Sequence, residues 1–136
     1  MTIDAAMRHL AVFNKEYAEK IFSGEKKVEG RFSQIKIAPF GKVSAGDEVL
    51  IKIPGKKIVG RFIVDRVLYF DHPKGEELDE IKKKYKKGLA LESTFWLDRE
   101  KVSYVSLMFI KSVNKFIVPP VIKKKDLRPW VVLDSN

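Results

Sequence analysis

The chain has 136 residues, no cysteine and a formal net charge of +9. That length predicts one domain spanning residues 1–136, able to bury a core unaided, and the missing cysteine excludes disulfides and cysteine zinc sites. No run approaches the ~20 apolar residues of a membrane-spanning helix and nothing at the N-terminus reads as a signal peptide, so no membrane partner and a cytoplasmic setting are expected.

Residues 9–13 read as a first strand. Asn14 is a good N-cap for a helix over 15–22, which puts Tyr17, Ala18, Ile21 and Phe22 on one side, and Gly24 ends it. A strand over 27–32 follows. In it Glu29 and Arg31 are two residues apart and share one face, while Val28 and Phe32 point the other way. The connection over 33–47 contains Pro39, Gly41 and the turn pair Gly46-Asp47. Strands are predicted over 48–53 and 57–70, joined by a Pro54-Gly55 turn, the second bent at Gly60.

Residues 75–88 predict a single helix. Glu76, Glu77, Asp79 and Glu80 open it and Lys82, Lys83, Lys84, Lys86 and Lys87 close it, an order that complements the helix dipole. Asp79 with Lys83 and Glu80 with Lys84 have ion-pair spacing. Leu78, Ile81 and Tyr85 form its apolar stripe, and Gly88 stands where a C-terminal cap belongs. The lysine run therefore reads as a solvated helix end. Residues 89–101 suggest a short helical turn and loop. Strands follow over 102–110 and 116–118, the latter stopped by Pro119-Pro120, and a last one over 130–133. The sum is an α+β fold, a small β-barrel with two or three short helices.

Charge is unevenly placed. Residues 36–61 hold Lys36, Lys42, Lys52, Lys56, Lys57 and Arg61 against Asp47 and Glu48; residues 111–136 hold Lys111, Lys115, Lys123, Lys124, Lys125 and Arg128 against Asp126 and Asp134. A fold that joined these blocks would make a surface suited to nucleic acid. Abundant Lys and Glu with little Gln or Asn also fit the lysine-rich surface of thermophile proteins. His9 and His72 cannot build a metal cage between them and read as structural.

The stretch Gly24-Glu25-Lys26-Lys27-Val28-Glu29-Gly30-Arg31 gathers a lysine, an acid and an arginine at a helix-strand turn. Arg31 can offer a planar fork to phosphate and Lys26, with Lys27 beside it, a point charge. Glu29 can accept from a base amino group or orient either cation. The same Glu29 and Arg31 could instead be a surface ion pair. Glu92 is a second acid to place near them, or a solvent-facing loop acid. Trp96 and Phe95 can stack on a base, with one of them expected in the core, and Tyr104 can line the same cleft. Lys123, Lys124, Lys125 and Arg128, backed by Trp130, read as a backbone-gripping edge or as a solvated tail. Nothing reads as a Ser-His-Asp triad, a P-loop, a Rossmann turn or a metal motif.

G-x-K-x-x-E-x-R after a short helix resembles the signature of the ASCH domain, a member of the PUA-like superfamily. Gly24, Lys26, Glu29 and Arg31 carry the match, with Tyr17, Ile21-Phe22-Ser23, Pro39 and Gly46-Asp47 around them. It covers most of the chain, more loosely over 75–102 and the tail. The resemblance implies a PUA-like barrel and a module that binds RNA or a nucleotide, without a cofactor. Some ASCH relatives hydrolyse the amide of N4-acetylcytidine and others have been described as ribonucleases. The amidohydrolase branch resembled here has Lys where Lys26 stands, an acid that could correspond to Glu92, and Thr where this chain has Glu29. That departure removes the presumed nucleophile. Glu29 could still act as a base on water, with Lys26 stabilising an oxyanion. A binding module is thus the first expectation, and a small metal-independent hydrolase the alternative.

Overall fold

The computed structural model describes residues 6–97, 99, 101–122 and 128–133. Among them run, in chain order, β1 (Arg8–Val12), α1 (Lys15–Ser23), β2 (Val28–Ser33), β3 (Glu48–Lys52), β4 (Ile58–Asp71), α2 (Gly75–Lys84), α3 (Lys86–Leu89), β5 (Tyr104–Lys115) and β6 (Trp130–Leu133). The six strands form one mixed sheet in the order β2-β5-β4-β3-β1-β6. Only β1 and β3 pair in parallel; the other neighbours are antiparallel. Register shifts near Arg61/Ile63 and Val64/Arg66 interrupt the β4–β5 ladder, and such bulges increase local twist. The sheet curls into a half-barrel. The curl brings edge strand β2 towards β1, where Arg31 Nη2 donates to Val12 O at 2.9 Å.

Strand alternation divides the core. Val105 and Leu107 on β5 join Val28, Leu78, Ile81 and Leu89 beneath α2 and α3, while Met108 faces the other way, with Ala11, Phe13, Ile21, Val49, Ile51, Phe62, Val64 and Trp130. Asn14 caps α1 by accepting from Tyr17 N, and Gly24 ends it with φ +83°. Gly30 sits where β2 and α3 touch. A Cβ there would fall 2.7 Å from Leu89 Cδ2 and 2.7 Å from the Phe32 ring.

Three predicted elements need correction. The helix over 75–88 is two helices, broken at Tyr85 (φ −104°, ψ 7°). Gly88 lies inside α3, not at a cap, because its bare Cα packs against Val28, where a Cβ would come within 3.0 Å of Cγ2. Ala90 takes the left-handed cap position instead. The ion pairs expected for Asp79–Lys83 and Glu80–Lys84 do not form among the described residues. Finally, β5 runs on to Lys115 because β4 extends beside it, and residues 116–118 are an irregular segment, not a strand.

His9 is structural, as its sequence context suggests. It is fully buried, and Trp130 Nε1 donates to its Nδ1 at 3.1 Å. Indole nitrogen only donates, so the imidazole proton sits on Nε2, which meets Asp47 Oδ2 at 2.8 Å. Asp47 also accepts from the backbone N–H groups of Met7 and Ser44. The Gly46-Asp47 turn thus fastens β1 and, through His9, the indole on β6.

Candidate functional site

Lys26, Glu29 and Arg31 meet, but not as a surface ion pair. Lys26 is 1% exposed and Glu29 5%. The turn after α1 folds Lys26 inward: its N–H donates to Lys20 O at 2.9 Å, and its ammonium donates to Leu89 O. The last carbonyls of α3 need partners. Gly88 O accepts from Lys27 N, Leu89 O from Lys26 Nζ, and Ala90 O from Lys20 Nζ. Lys26 therefore secures α3 to the start of β2. Its ammonium also lies 3.2 Å from Glu29 Oε1 and 5.1 Å from the centre of the Tyr17 ring. Burial pushes its pKa below the ordinary 10.5, and Glu29 partly offsets that.

Arg31 takes the other carboxylate oxygen, with Nε 2.9 Å from Glu29 Oε2. Its guanidinium is held between aromatic rings, 5.0 Å from Phe13 and 5.1 Å from Trp130. A cavity of about 190 Å3 opens against this pair. Glu29 and Arg31 line it together with Phe13, Tyr17, Phe32 and Phe95. Lys26 is behind Glu29 and is not part of the lining. A second hollow of about 270 Å3 lies across Arg31, bounded by Phe40, Tyr104 and Trp130.

The remaining predicted residues scatter around this centre. Tyr104 lines the second hollow and packs edge-on against Phe40 and His72. Phe95 reaches the cleft, while Trp96 packs edge-on against Phe32 and lines a different hollow with Lys82 over its ring at 4.4 Å. Both rings are half-buried. Glu92 is exposed and outside the cleft; its N–H donates to the Tyr17 hydroxyl, and its carboxylate beside Glu16 raises that acid's pKa. Lys27 is exposed on the far side of β2, beside α3. Lys123, Lys124 and Lys125 lie outside the described residues. Arg128 is exposed just before Trp130. Sequence reasoning missed Phe13, Tyr17 and Arg99 as cleft walls. Position beside the Asn14 cap could have flagged Phe13 and Tyr17; Arg99, in a loop, carries no local signal.

Among the described residues no group of three His, Cys, Asp or Glu is arranged to hold a metal ion, and no helix is long and apolar enough to cross a membrane. What the cleft offers is a carboxylate fixed on both oxygens by cations, with aromatic walls.

No curated protein matches the sequence. Among solved structures, a serine-to-alanine variant of the Zymomonas mobilis protein ZmASCH superposes with a TM-score of 0.69 at 17% identity, covering 96% of this chain and 91% of that one. The Zymomonas mobilis ASCH structure superposes with a TM-score of 0.62, also at 17% identity, over 79% of this chain and 69% of that one. At such identity the likeness concerns the fold. The sequence pattern of the ASCH domain matches residues 13–114, from the Phe13 wall through the Lys26-Glu29-Arg31 cluster to the end of β5, and the chain belongs to the ASCH domain family.

Proposed function

We propose that this protein binds RNA by admitting one unpaired base to the cleft at Glu29 and Arg31. The observation that carries this reading is the Glu29 carboxylate, fixed by Lys26 and Arg31 beside an aromatic-walled hollow of about 190 Å3. Pockets for drug-sized ligands run to about 300–1,000 Å3, so this one suits a single ring system. Each carboxylate oxygen has two acceptor directions, and each has one cation on it here. A free direction remains for an exocyclic amino group, the contact an acid makes to cytosine N4. Phe13, Tyr17, Phe32 and Phe95 supply rings against which a base can pack. Membership of the ASCH family and the half-barrel agree with this reading.

Fluorescence anisotropy with short single-stranded RNAs tests it. We expect binding that weakens with salt and favours oligocytidine over oligouridine. Glu29→Gln should erase the preference, and Phe95→Ala should weaken both. No binding even at low salt would remove the reading.

One observation favours a hydrolase acting on an N4-acetylcytidine-type amide: a lysine with a lowered pKa beside an acid, a pairing common at reacting sites. The geometry gives it less support. Lys26 does not line the cavity, its ammonium already faces Leu89 O, Glu29 and the Tyr17 ring, and Glu92 is outside the cleft. Purified protein incubated with N4-acetylcytidine without added metal should release no acetate. Turnover abolished by Glu29→Gln would reverse the ranking.

A further inference from the structure

The sequence assigned the polyanion-gripping role to two basic blocks, residues 36–61 and 111–136. The fold brings the described strands of the two blocks together, with Arg61 opposite Asn114 and Gly60 opposite Lys115 on β4 and β5. Several of their cations are already engaged. Arg61 lies 2.6 Å from Glu48, which also binds Arg8 from outside the blocks, Lys52 donates to Lys56 O, and Lys111 lies 3.6 Å from Asp65.

Lys36, Lys42, Lys56 and Lys57 are equally exposed and outside any ion pair with a described residue; the helical corner differs in gathering its lysines around hollows. Lys83, Lys84, Lys86 and Lys87 are exposed, and none is in an ion pair with a described residue. The break at Tyr85 turns α3 away from α2, so these lysines border two hollows of about 480 and 880 Å3 that share Lys83, Lys86 and Leu91. Trp96 and Lys82 add to the first hollow, Lys27 and Lys87 to the second. The acids on these walls are Asp79 and Glu92 in the first and Glu25 in the second. Leu91 also lines the Glu29 cleft, so the three spaces adjoin at one residue.

We propose that this α2–α3 groove is the track for the phosphodiester backbone of the single-stranded RNA whose base enters the cleft, a proposal that rests on the RNA reading above. Unpaired lysines bring the least competition from internal partners and release counterions from phosphate on binding. The half-buried Trp96 ring beside Lys82 gives a neighbouring base a surface to pack on. A single strand fits because its path must pass from a one-base cleft, past Leu91, into a groove flanked by aromatic and lysine side chains. The occupant is recognised by repeating negative charge, and the groove adds length to the footprint without reading sequence.

The test compares cytidine 5′-monophosphate with a labelled single-stranded RNA about eight nucleotides long, within the span of known single-strand sites. The variant is the triple Lys83→Gln/Lys86→Gln/Lys87→Gln. Its control is Lys36→Gln/Lys42→Gln/Lys56→Gln in the first basic block. The groove variant should bind the mononucleotide as the wild type does. It should lose on the order of a hundredfold in oligonucleotide affinity near 0.1 M salt, and its log K against log salt slope should fall by about 2, three contacts at about 0.7 each. The control should change neither. Oligonucleotide affinity and slope unchanged in the groove variant would overturn this proposal while leaving the cleft reading intact. Equal loss in the control would return the backbone to the basic blocks. Displacement of the RNA by polyglutamate at equal charge would make the groove a site for acidic protein instead. If the wild type binds neither probe, the RNA reading itself fails.

Discussion

At the cleft, Arg31 on its wall and Lys26 behind it face a carboxylate, main-chain carbonyls and aromatic rings. On the α2–α3 corner, Lys83, Lys86 and Lys87 face water and no carboxylate within ion-pair reach. Both regions touch Leu91. In the first, desolvation makes each cation depend on its partners, so charge there holds geometry and presents Glu29. In the second, hydrated cations are exchangeable and can meet a new anion at little cost. The motif that identifies the family therefore marks where positive charge is already committed, and the run without a motif marks where it remains free to act.

The largest expected effect breaks the cleft side of this comparison. Lys26→Met removes the donor to Leu89 O and one of two cations on a buried carboxylate, and truncating one partner of a buried pair costs about 3–5 kcal/mol. Urea denaturation reads it. A loss under about 1 kcal/mol, the range of exposed ion pairs, would mean that the ammonium reaches water and that the contrast is false.

A smaller effect should appear with pH. The unfolded chain keeps the Lys26 proton until about 10.5, whereas burial makes the folded chain release it sooner. Between those two points the unfolded state holds more protons, so this residue makes stability rise with pH, and below them its cost is constant. Denaturation free energies of wild type minus Lys26→Met should climb with pH as 10.5 is approached. A flat or falling difference would show that Glu29 outweighs burial.

The smallest effect belongs to the corner. Lys83→Gln/Lys86→Gln/Lys87→Gln should change unfolding free energy by no more than about 0.5 kcal/mol per site, as exposed substitutions do. A cooperative loss beyond that would mean the lysines secure α3, and would sharpen the division by moving it from Leu91 to the helix surface.

Much of the fold was legible because it rests on local rules. Asn14 and Gly24 bound α1 through cap chemistry, and period-two alternation located β2, β3 and β4 to within a residue or two. The errors lie where distant partners decide. The break at Tyr85 accompanies the close fit of Gly88 on Val28, and β5 lengthens because β4 is there to pair with it. Glu29 and Arg31 were legible as a pair because two residues along a strand share a face. Lys26 was not legible as a buried residue, since its acceptor, Leu89 O, is 63 positions away. Arg31 looked free to fork onto phosphate until the rings of Phe13 and Trp130, from β1's end and β6, closed on it.

Gly30 stands between Glu29 and Arg31, and its bare Cα is what lets α3 lie against β2. Any side chain there must push aside Leu89 or Phe32, the first of which carries the carbonyl that holds Lys26 and the second of which walls the cleft. In a saturation screen for binding, this position would score as intolerant as a contact residue although it has no side chain with which to touch a ligand. Gly30 lines the cleft with its backbone alone, so its intolerance would report the packing of α3 on β2 as much as any contact with a ligand.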